Sequence, residues 1–333
     1  MTAETECPAA PPTAVVVSPS STPTNDDVKN NRKYRMVALD LDGTLLNSNH
    51  KMSEATKTCL KCLMEQPGFT VILATGRAIA TVYDAIHALN LEPHQRLPVV
   101  CSNGAEGLMC SMKHGVAKIQ REPLFYTPVP MKVVQATLQL AAKLGFVVQC
   151  YVGDTIYANP SAPHHYALTG LYKELTGSDT VHVSDFTDGL NQGPPSKLLV
   201  LCRPEEQEEM LQAFAQELSQ PQCLIDDAKN AATMVRGNLG WFMEMLHPHV
   251  HKGHGLQQMC HRLQIPIAEC IAFGDGDNDM EFLQMAGKSF AMANARNVIK
   301  ELPQVQVLAH NNDQDGVVRT LQQMEDNECL VLQ

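Results

Sequence analysis

The chain has 333 residues, a formal net charge of −11 and 18% charged residues. That excess of acid argues against nucleic acid or anionic membrane as a partner, and no apolar run approaches the roughly 18 residues of a membrane span. The length allows a sizeable core and two domains. At the N-terminus no basic stretch leads into an apolar one, so a secretory signal is not expected. The 11 cysteines, scattered from Cys7 to Cys329, read as reduced thiols of a cytoplasmic protein. Cys59 and Cys62 have CxxC spacing, but no second such pair exists and both fall inside a predicted helix, so packing is their expected role.

Residues 1–33 are rich in Pro, Ser, Thr and Ala and read as a disordered tail. Ser18-Pro19 and Thr22-Pro23 are its modification candidates. Tyr34 to Leu41 reads as a buried strand that ends in Asp40-Leu41-Asp42-Gly43-Thr44. Leu46 to Lys51 is polar and reads as a hairpin or flap, and Ser53 caps a helix to about Glu65. Phe69 to Ala74 is a second strand, ending in Thr75-Gly76-Arg77. Ile79, Val82, Tyr83, Ile86 and Leu89 then give one apolar helix face. Pro98 to Ser102 is a third strand. Strands alternating with amphipathic helices predict an α/β fold, a Rossmann-like doubly wound parallel sheet.

The style changes near Leu108. Helices are predicted over Met131 to Leu144, His164 to Leu175 and Glu205 to Leu218. Short strands are predicted at Phe146 to Val152, Thr155 to Ala158, Lys197 to Cys202, Cys223 to Ile225, Thr233 to Arg236 and Trp241 to Met245. An αββ unit occurring twice fits this order. The segment reads as an inserted α+β domain over 108–239, between core halves at 34–107 and 240–333. The doubly wound rhythm resumes with a helix opened by Lys252-Gly253 and a strand Cys270 to Phe273. That strand runs into Gly274-Asp275-Gly276-Asp277-Asn278-Asp279. Further strands at Ser289 to Met292 and Val305 to Leu308 and a helix over Gly316 to Met324 complete it.

Two strands far apart in sequence thus both end in acids, Asp40/Asp42 and Asp275/Asp277/Asp279. In one parallel sheet these ends can lie together, where ligands of open α/β sheets bind. Carboxylates gathered at one spot repel unless a cation sits among them. Oxygen-only ligands favour a hard ion, and an incomplete protein shell suits Mg²⁺. Thr75-Gly76 at a strand end opening onto a helix offers an anion a hydroxyl and free N–H groups. Lys252 offers a phosphate a fixed positive charge. His247, His249, His251 and His254 have ligand-like spacing but suit packing or the rim of a site better than a hard metal. His164 and His165 are candidates for substrate contact, and the 16 methionines read as core filler.

Together these elements resemble the haloacid dehalogenase superfamily of aspartate-nucleophile phosphatases. Asp40-Leu-Asp42-Gly43-Thr44-Leu45-Leu46 resembles its first motif, Thr75-Gly76-Arg77 its second, Lys252-Gly253 its third and Gly274 to Asp279 its fourth. The large segment between the second and third motifs resembles the C2B cap of the Cof-type subfamily. Asn103-Gly104-Ala105, Ala291 to Ala295 and Asn312 to Val317 also resemble that subfamily, with Ala293 standing where glycine is usual. The resemblance covers residues 34 to 325. It implies Asp40 as nucleophile and Asp42 as general acid and base. It implies Mg²⁺ held by Asp40, the Asp42 carbonyl and Asp275, with Asp279 behind them. It implies Thr75, Gly76, Lys252 and Asn278 as phosphate ligands, with Leu41, Gly43 and Arg77 beside them. The expected substrate is a small phosphorylated metabolite, with sugar phosphates first and flavin mononucleotide and pyridoxal phosphate as other subfamily substrates. A monomer or weak homo-oligomer is expected. The rivals are a phosphomutase, which retains the aspartyl-phosphate, and a non-catalytic phosphate-binding or switch protein, against which Asp42 argues.

Overall fold

The computed structural model describes residues 34–112, 118–225, 230–237 and 240–326. The tail expected over 1–33 lies outside them. The first core half holds β1 (Met36–Leu39), α1 (Glu54–Glu65), β2 (Thr70–Ala74), α2 (Tyr83–Leu89), β3 (Leu97–Cys101), β4 (Glu106–Met112) and β5 (Ile119–Tyr126). All four residues of β1 and all five of β3 are buried, as strands covered on both faces require. Ser53 caps α1, its side chain accepting from Thr56 N at 3.0 Å. Cys59, Leu60 and Leu63 of α1 are buried at helical spacing in the core beneath it.

The insert runs through α3 (Met131–Leu144), β6 (Val147–Val152), β7 (Thr155–Ala158), α4 (Pro163–Thr176), β8 (Thr180–His182), α5 (Thr187–Leu190), β9 (Lys197–Leu201), α6 (Gln207–Leu218), β10 (Thr233–Arg236) and β11 (Phe242–Leu246). The second core half follows with α7 (Lys252–Leu263), β12 (Cys270–Gly274), α8 (Met280–Met285), β13 (Lys288–Ala291), α9 (Asn297–Lys300), β14 (Val305–Val307) and α10 (Gly316–Asp326).

The core is one eight-stranded sheet in the order β14-β13-β12-β1-β2-β3-β4-β5. From β14 to β3 all neighbours are parallel. The chain winds outward from β1 through β2 and β3, then returns to β12 on the other side of β1. The strand order therefore reverses between β1 and β12, the switch point at which ligands of such sheets bind. The register Leu39↔Phe273 puts Asp40 level with the start of the Gly274–Asp279 loop.

The insert forms a separate six-stranded sheet, β10-β11-β9-β6-β7-β8. The two αββ units are present as α3-β6-β7 and α6-β10-β11. Val133, Val134 and Ala141 of α3 and Met210, Phe214 and Leu218 of α6 share one core with Val148, Cys150, Val200, Met243 and Met245 of the sheet. The opposite sheet face carries Val147, Tyr151, Leu199 and Leu201, packed with Leu168 and Tyr172 of α4 and with Ala78 of the core half.

Several expectations are corrected. Residues 108–112 and 119–126 do not begin the insert: β4 and β5 extend the core sheet as antiparallel strands beyond β3. At the other boundary, residues 242–246 pair with β9 and β10 in the insert sheet. Short antiparallel strands have the same local pattern in either sheet, so pairing partners decided both boundaries. The helix expected directly after Arg77 is a single 3₁₀ turn at Ile79–Thr81 before α2 begins. Cys223 to Ile225 is turn and irregular chain, and the strand Thr180–His182 was not expected. No helix among the described residues is long and apolar enough to cross a membrane.

Candidate active site

Asp40 leaves β1 buried, with 5% of its surface exposed, and its N–H donates to Phe273 O on β12 at 3.1 Å. The chain then turns on Leu41, whose carbonyl accepts from the N–H groups of Thr44, Leu45 and Leu46 at 2.8 to 3.4 Å. Gly43 sits at φ +78°, and a Cβ there would lie 2.3 Å from an Asp275 carboxylate oxygen. Only glycine fits this turn and this approach. The turn presses Thr44 onto Asp275, its Oγ1 donating to Oδ1 at 3.0 Å. Asn294, from the Ala291 to Ala295 stretch, donates to Gly43 O at 2.7 Å and so ties the same turn from β13's side.

Lys252 is the second residue to reach the centre. Its Nζ donates to Asp40 Oδ1 at 2.5 Å and to Asp279 Oδ1 at 2.7 Å, with 1% of the residue exposed. The side chain of His251 caps α7, Nδ1 accepting from His254 N at 3.2 Å. That histidine therefore holds the helix start that carries Lys252. Asp279 is fully buried, and its Oδ2 accepts from Asp275 N and Gly276 N at 2.9 Å each. It braces the loop and the lysine at once.

The electrostatics follow from this crowding. Burial pushes the Asp40 carboxyl well above its ordinary range; Lys252 pulls it back, while Asp279 and Asp275 push it further. Burial, then Asp279, pushes Asp275 up to about 6. Lys252 is held charged: burial works against its charge, and Asp279 and Asp40 outweigh burial. Asp40, Asp275 and Asp279 each bring a carboxylate oxygen within 4.8 Å of the others. One lysine does not neutralise three acids. The donor set, oxygen only and short of positive charge, fits a divalent cation. No histidine joins a metal-ligand cluster among the described residues.

Asp42, two residues past Asp40, faces outward with 44% of its side chain exposed. Arg77 grips both of its oxygens, Nε donating to Oδ2 at 2.7 Å and Nη2 to Oδ1, and His50 Nδ1 lies 3.3 Å from Oδ1. Burial raises the Asp42 carboxyl, but Arg77 and then His50 outweigh it and hold the group below the usual carboxylate range. Arg77 also donates from Nη1 to Thr81 O at 3.3 Å, so it holds the acid and the turn that follows it at once.

Thr75 is buried at the end of β2, and its hydroxyl accepts from Arg77 N at 3.1 Å. Asn278 Nδ2 donates to Asn103 Oδ1 at 2.9 Å. Asp40, Asp42, Thr75, Gly76, Arg77, Asp275 and Asn278 all line one cavity of about 260 Å³. Its far wall is Tyr151, Tyr172, Thr176, Lys197 and Glu244, all from the insert. Among the candidates, Leu41 is fully buried and is not one of the residues that line this cavity. His164 and His165 do not line this cavity. His165 is instead bonded to Gly145 O at 2.9 Å and to Ser161 N at 3.1 Å. Cys59 is buried, and burial pushes its thiol up to about 12, as packing implies.

Sequence reasoning missed Lys197 and Glu244. The signal was a charged residue inside each of two apolar strands, Lys-Leu-Leu-Val-Leu and Phe-Met-Glu-Met-Leu. Strand alternation puts Lys197 with Leu199 and Leu201, and Glu244 with Phe242 and Leu246, on the face turned to the core.

A doubly wound sheet with acids from two adjacent strand ends, a buried lysine between them and an inserted second sheet as roof defines a hydrolase of the phosphoryl-transfer kind. The family is settled by comparison with known proteins: the haloacid dehalogenase-like hydrolase family matches residues 37–321, and the chain belongs to it. An HMP-PP phosphatase of Yersinia pseudotuberculosis is 25% identical over 293 residues, covering 86% of this chain and 94% of that protein. A Thermotoga maritima crystal structure superposes with a TM-score of 0.70 at 22% identity, covering 87% of this chain and 97% of that one. A subclass IIB sugar phosphatase superposes with a TM-score of 0.64 at 19% identity, covering 89% and 100%. The Cof-type resemblance stands with these, and the chain is an enzyme, a phosphoric monoester hydrolase.

Proposed function

We propose that this enzyme hydrolyses small phosphorylated metabolites with Mg²⁺, through a phosphoryl group carried on Asp40. The observation that carries the reading is Asp40 itself, buried in a cavity of about 260 Å³ with Lys252 at 2.5 Å and a second acid two residues on. Lys252 holds Oδ1, and Oδ2 attacks phosphorus. The Asp40–phosphorus bond forms as the bond to the leaving oxygen breaks. Asp42 gives its proton to that oxygen, then takes one from water as the water attacks phosphorus and frees Asp40. In the resting site Arg77 favours the ionised Asp42, the form needed for the second step. A substrate phosphate beside Asp42 raises its proton affinity for the first. Asp40, the Asp42 carbonyl and Asp275 would hold Mg²⁺, which would offset the repulsion between carboxylate and phosphate. Thr75, Gly76 and Asn278 position the phosphoryl oxygens, with Leu41, Gly43 and Arg77 beside them.

A cleft of about 730 Å³, lined by both the core and the insert, shares Arg77, Thr81 and Thr176 with this cavity. It has room for the leaving group of a small metabolite. Its lining includes His50, Lys51, Lys57, Asp84, Asp154 and Asp179, which suits a polar compound. Sugar phosphates are the first class to test, as in the subclass IIB neighbour, and the HMP-PP phosphatase relative adds its own substrate. The nine described cysteines are unpaired, in keeping with a reducing, cytoplasmic setting. A screen of phosphorylated metabolites with Mg²⁺ should show phosphate release that Asp40→Asn lowers by at least about a thousandfold and that chelation abolishes. Release that survives in Asp40→Asn removes the nucleophile assignment.

A further inference from the structure

One buried ion pair joins the insert to the two loops that cradle the phosphate. Lys197 on β9 donates from Nζ to Glu244 Oε1 on β11 at 2.7 Å, with 2% and 11% of the side chains exposed. Each partner then reaches across to the core. Lys197 Nζ also donates to Gly76 O at 3.2 Å. Glu244 Oε2 accepts from Asn103 Nδ2 at 2.9 Å, and Asn103 Oδ1 accepts from Asn278 Nδ2 at 2.9 Å. The carboxylate fixes which way the Asn103 amide points, because only its NH₂ end can donate. That leaves its oxygen to hold Asn278. Asn103 also sits against Gly76, where a Cβ would lie 2.8 Å from Oδ1.

The loop between them is strained and anchored. Ser102 and Asn103 have φ of +50° and +53°, a rare pair for residues with side chains. Their N–H groups donate to Arg77 O at 2.8 Å and Thr75 O at 3.1 Å. Packing alone does not call for such an arrangement, since a buried ion pair contributes little over an apolar pair of the same volume. The two strands that carry it are otherwise apolar, and both charges line the cavity wall.

We propose that Lys197 and Glu244 are positioning residues: through Gly76 and the Asn103–Asn278 relay they set the phosphate cradle, which is complete only with the insert docked on the core. This rests on the phosphatase reading and adds a coupling between the insert and phosphate affinity. The test uses the full chain with Mg²⁺, p-nitrophenyl phosphate as substrate and inorganic phosphate as competitive inhibitor, with the phosphate-induced rise in Tm as a second readout. Glu244→Gln and Asn103→Gly should each weaken phosphate about tenfold, the loss of one buried charge-assisted hydrogen bond. Glycine keeps the left-handed backbone of Asn103. The double variant should be no more than about threefold worse than either single variant, because both cut one relay. Additive losses near a hundredfold, or unchanged phosphate affinity with a lowered Tm, overturn the proposal. If Glu244→Gln does not fold, Lys197→Met/Glu244→Gln removes both charges and enters the same cycle. If wild type shows no Asp40-dependent turnover, the phosphatase reading falls and the Tm readout decides the relay. Wild type that neither gains Tm with phosphate nor is inhibited by it overturns the relay, while Asp40-dependent turnover alone decides the phosphatase reading.

Discussion

At the scale of single residues, the site separates its acids by burial and by partner. Asp40 is enclosed and held by Lys252, whereas Asp42 is half exposed and held by Arg77. Both aspartates were legible because two acids one residue apart closed an apolar run. Arg77 and Lys252 were expected beside a phosphate, but their pairing with these acids was not legible, since the fold brings them 35 and 212 positions back to reach them. Away from the centre, burial pushes the Glu106 carboxyl up to about 7, with Arg121 pulling it back. A carboxyl raised on folding contributes stability that is full below its unfolded pKa and lost as pH rises through its folded one. Wild type should therefore lose up to about 3 kcal/mol between pH 5 and pH 8 that Glu106→Gln keeps. Denaturant melts of both proteins at the two pH values check this, and parallel pH dependence would refute it.

At the scale of elements, the strand-end loops do the work, and small residues let them meet. Gly104 has φ +100°, and a Cβ there would lie 2.3 Å from His251 O, at the start of α7. The loop after β3 thus rests directly on the helix that carries Lys252. Gly104→Ala should cost at least about 2 kcal/mol and lower turnover beyond the loss of folded protein, because Lys252 shifts with the helix. Tm together with kcat per folded molecule tests this; normal kcat would separate the contact from the lysine. Helix and strand positions were largely readable here: Met131–Leu144, Thr155–Ala158 and Thr233–Arg236 fall where periodicity put them. The break after Arg77 was not readable, because Ile79 and Val82 keep helical spacing across the 3₁₀ turn.

At the scale of the whole molecule, two charged contacts are among those that seat the insert on the core. One is the Lys197–Glu244 pair. The other is Asp154, in the turn between β6 and β7, which takes hydrogen bonds from Tyr83 Oη at 3.1 Å and from Arg121 of β5. The same Asp154 lines the larger cleft. Its ion pair is partly exposed, so Asp154→Ala should change stability by no more than about 1 kcal/mol. A looser seat should instead raise KM about three- to tenfold, within the span of one exposed charged contact. Steady-state kinetics beside a thermal melt distinguish the two, and an unchanged KM would show that this contact does not hold the insert.

Local pattern determined much of this protein. Apolar runs ending in Asp40, Thr75 and Asp275 set the strands, the parallel doubly wound class and the acids of the site, because periodicity and strand-end chemistry act over a few residues. Tertiary structure alone decided which strands belong to which sheet. It sent β4 and β5 to the core and β11 to the insert, since pairing partners lie far off in the chain. It also turned Lys197 and Glu244 from anomalies in apolar strands into the cavity's far wall. A charge buried in a strand is stable only beside an opposite charge, and that neighbour is 47 residues away.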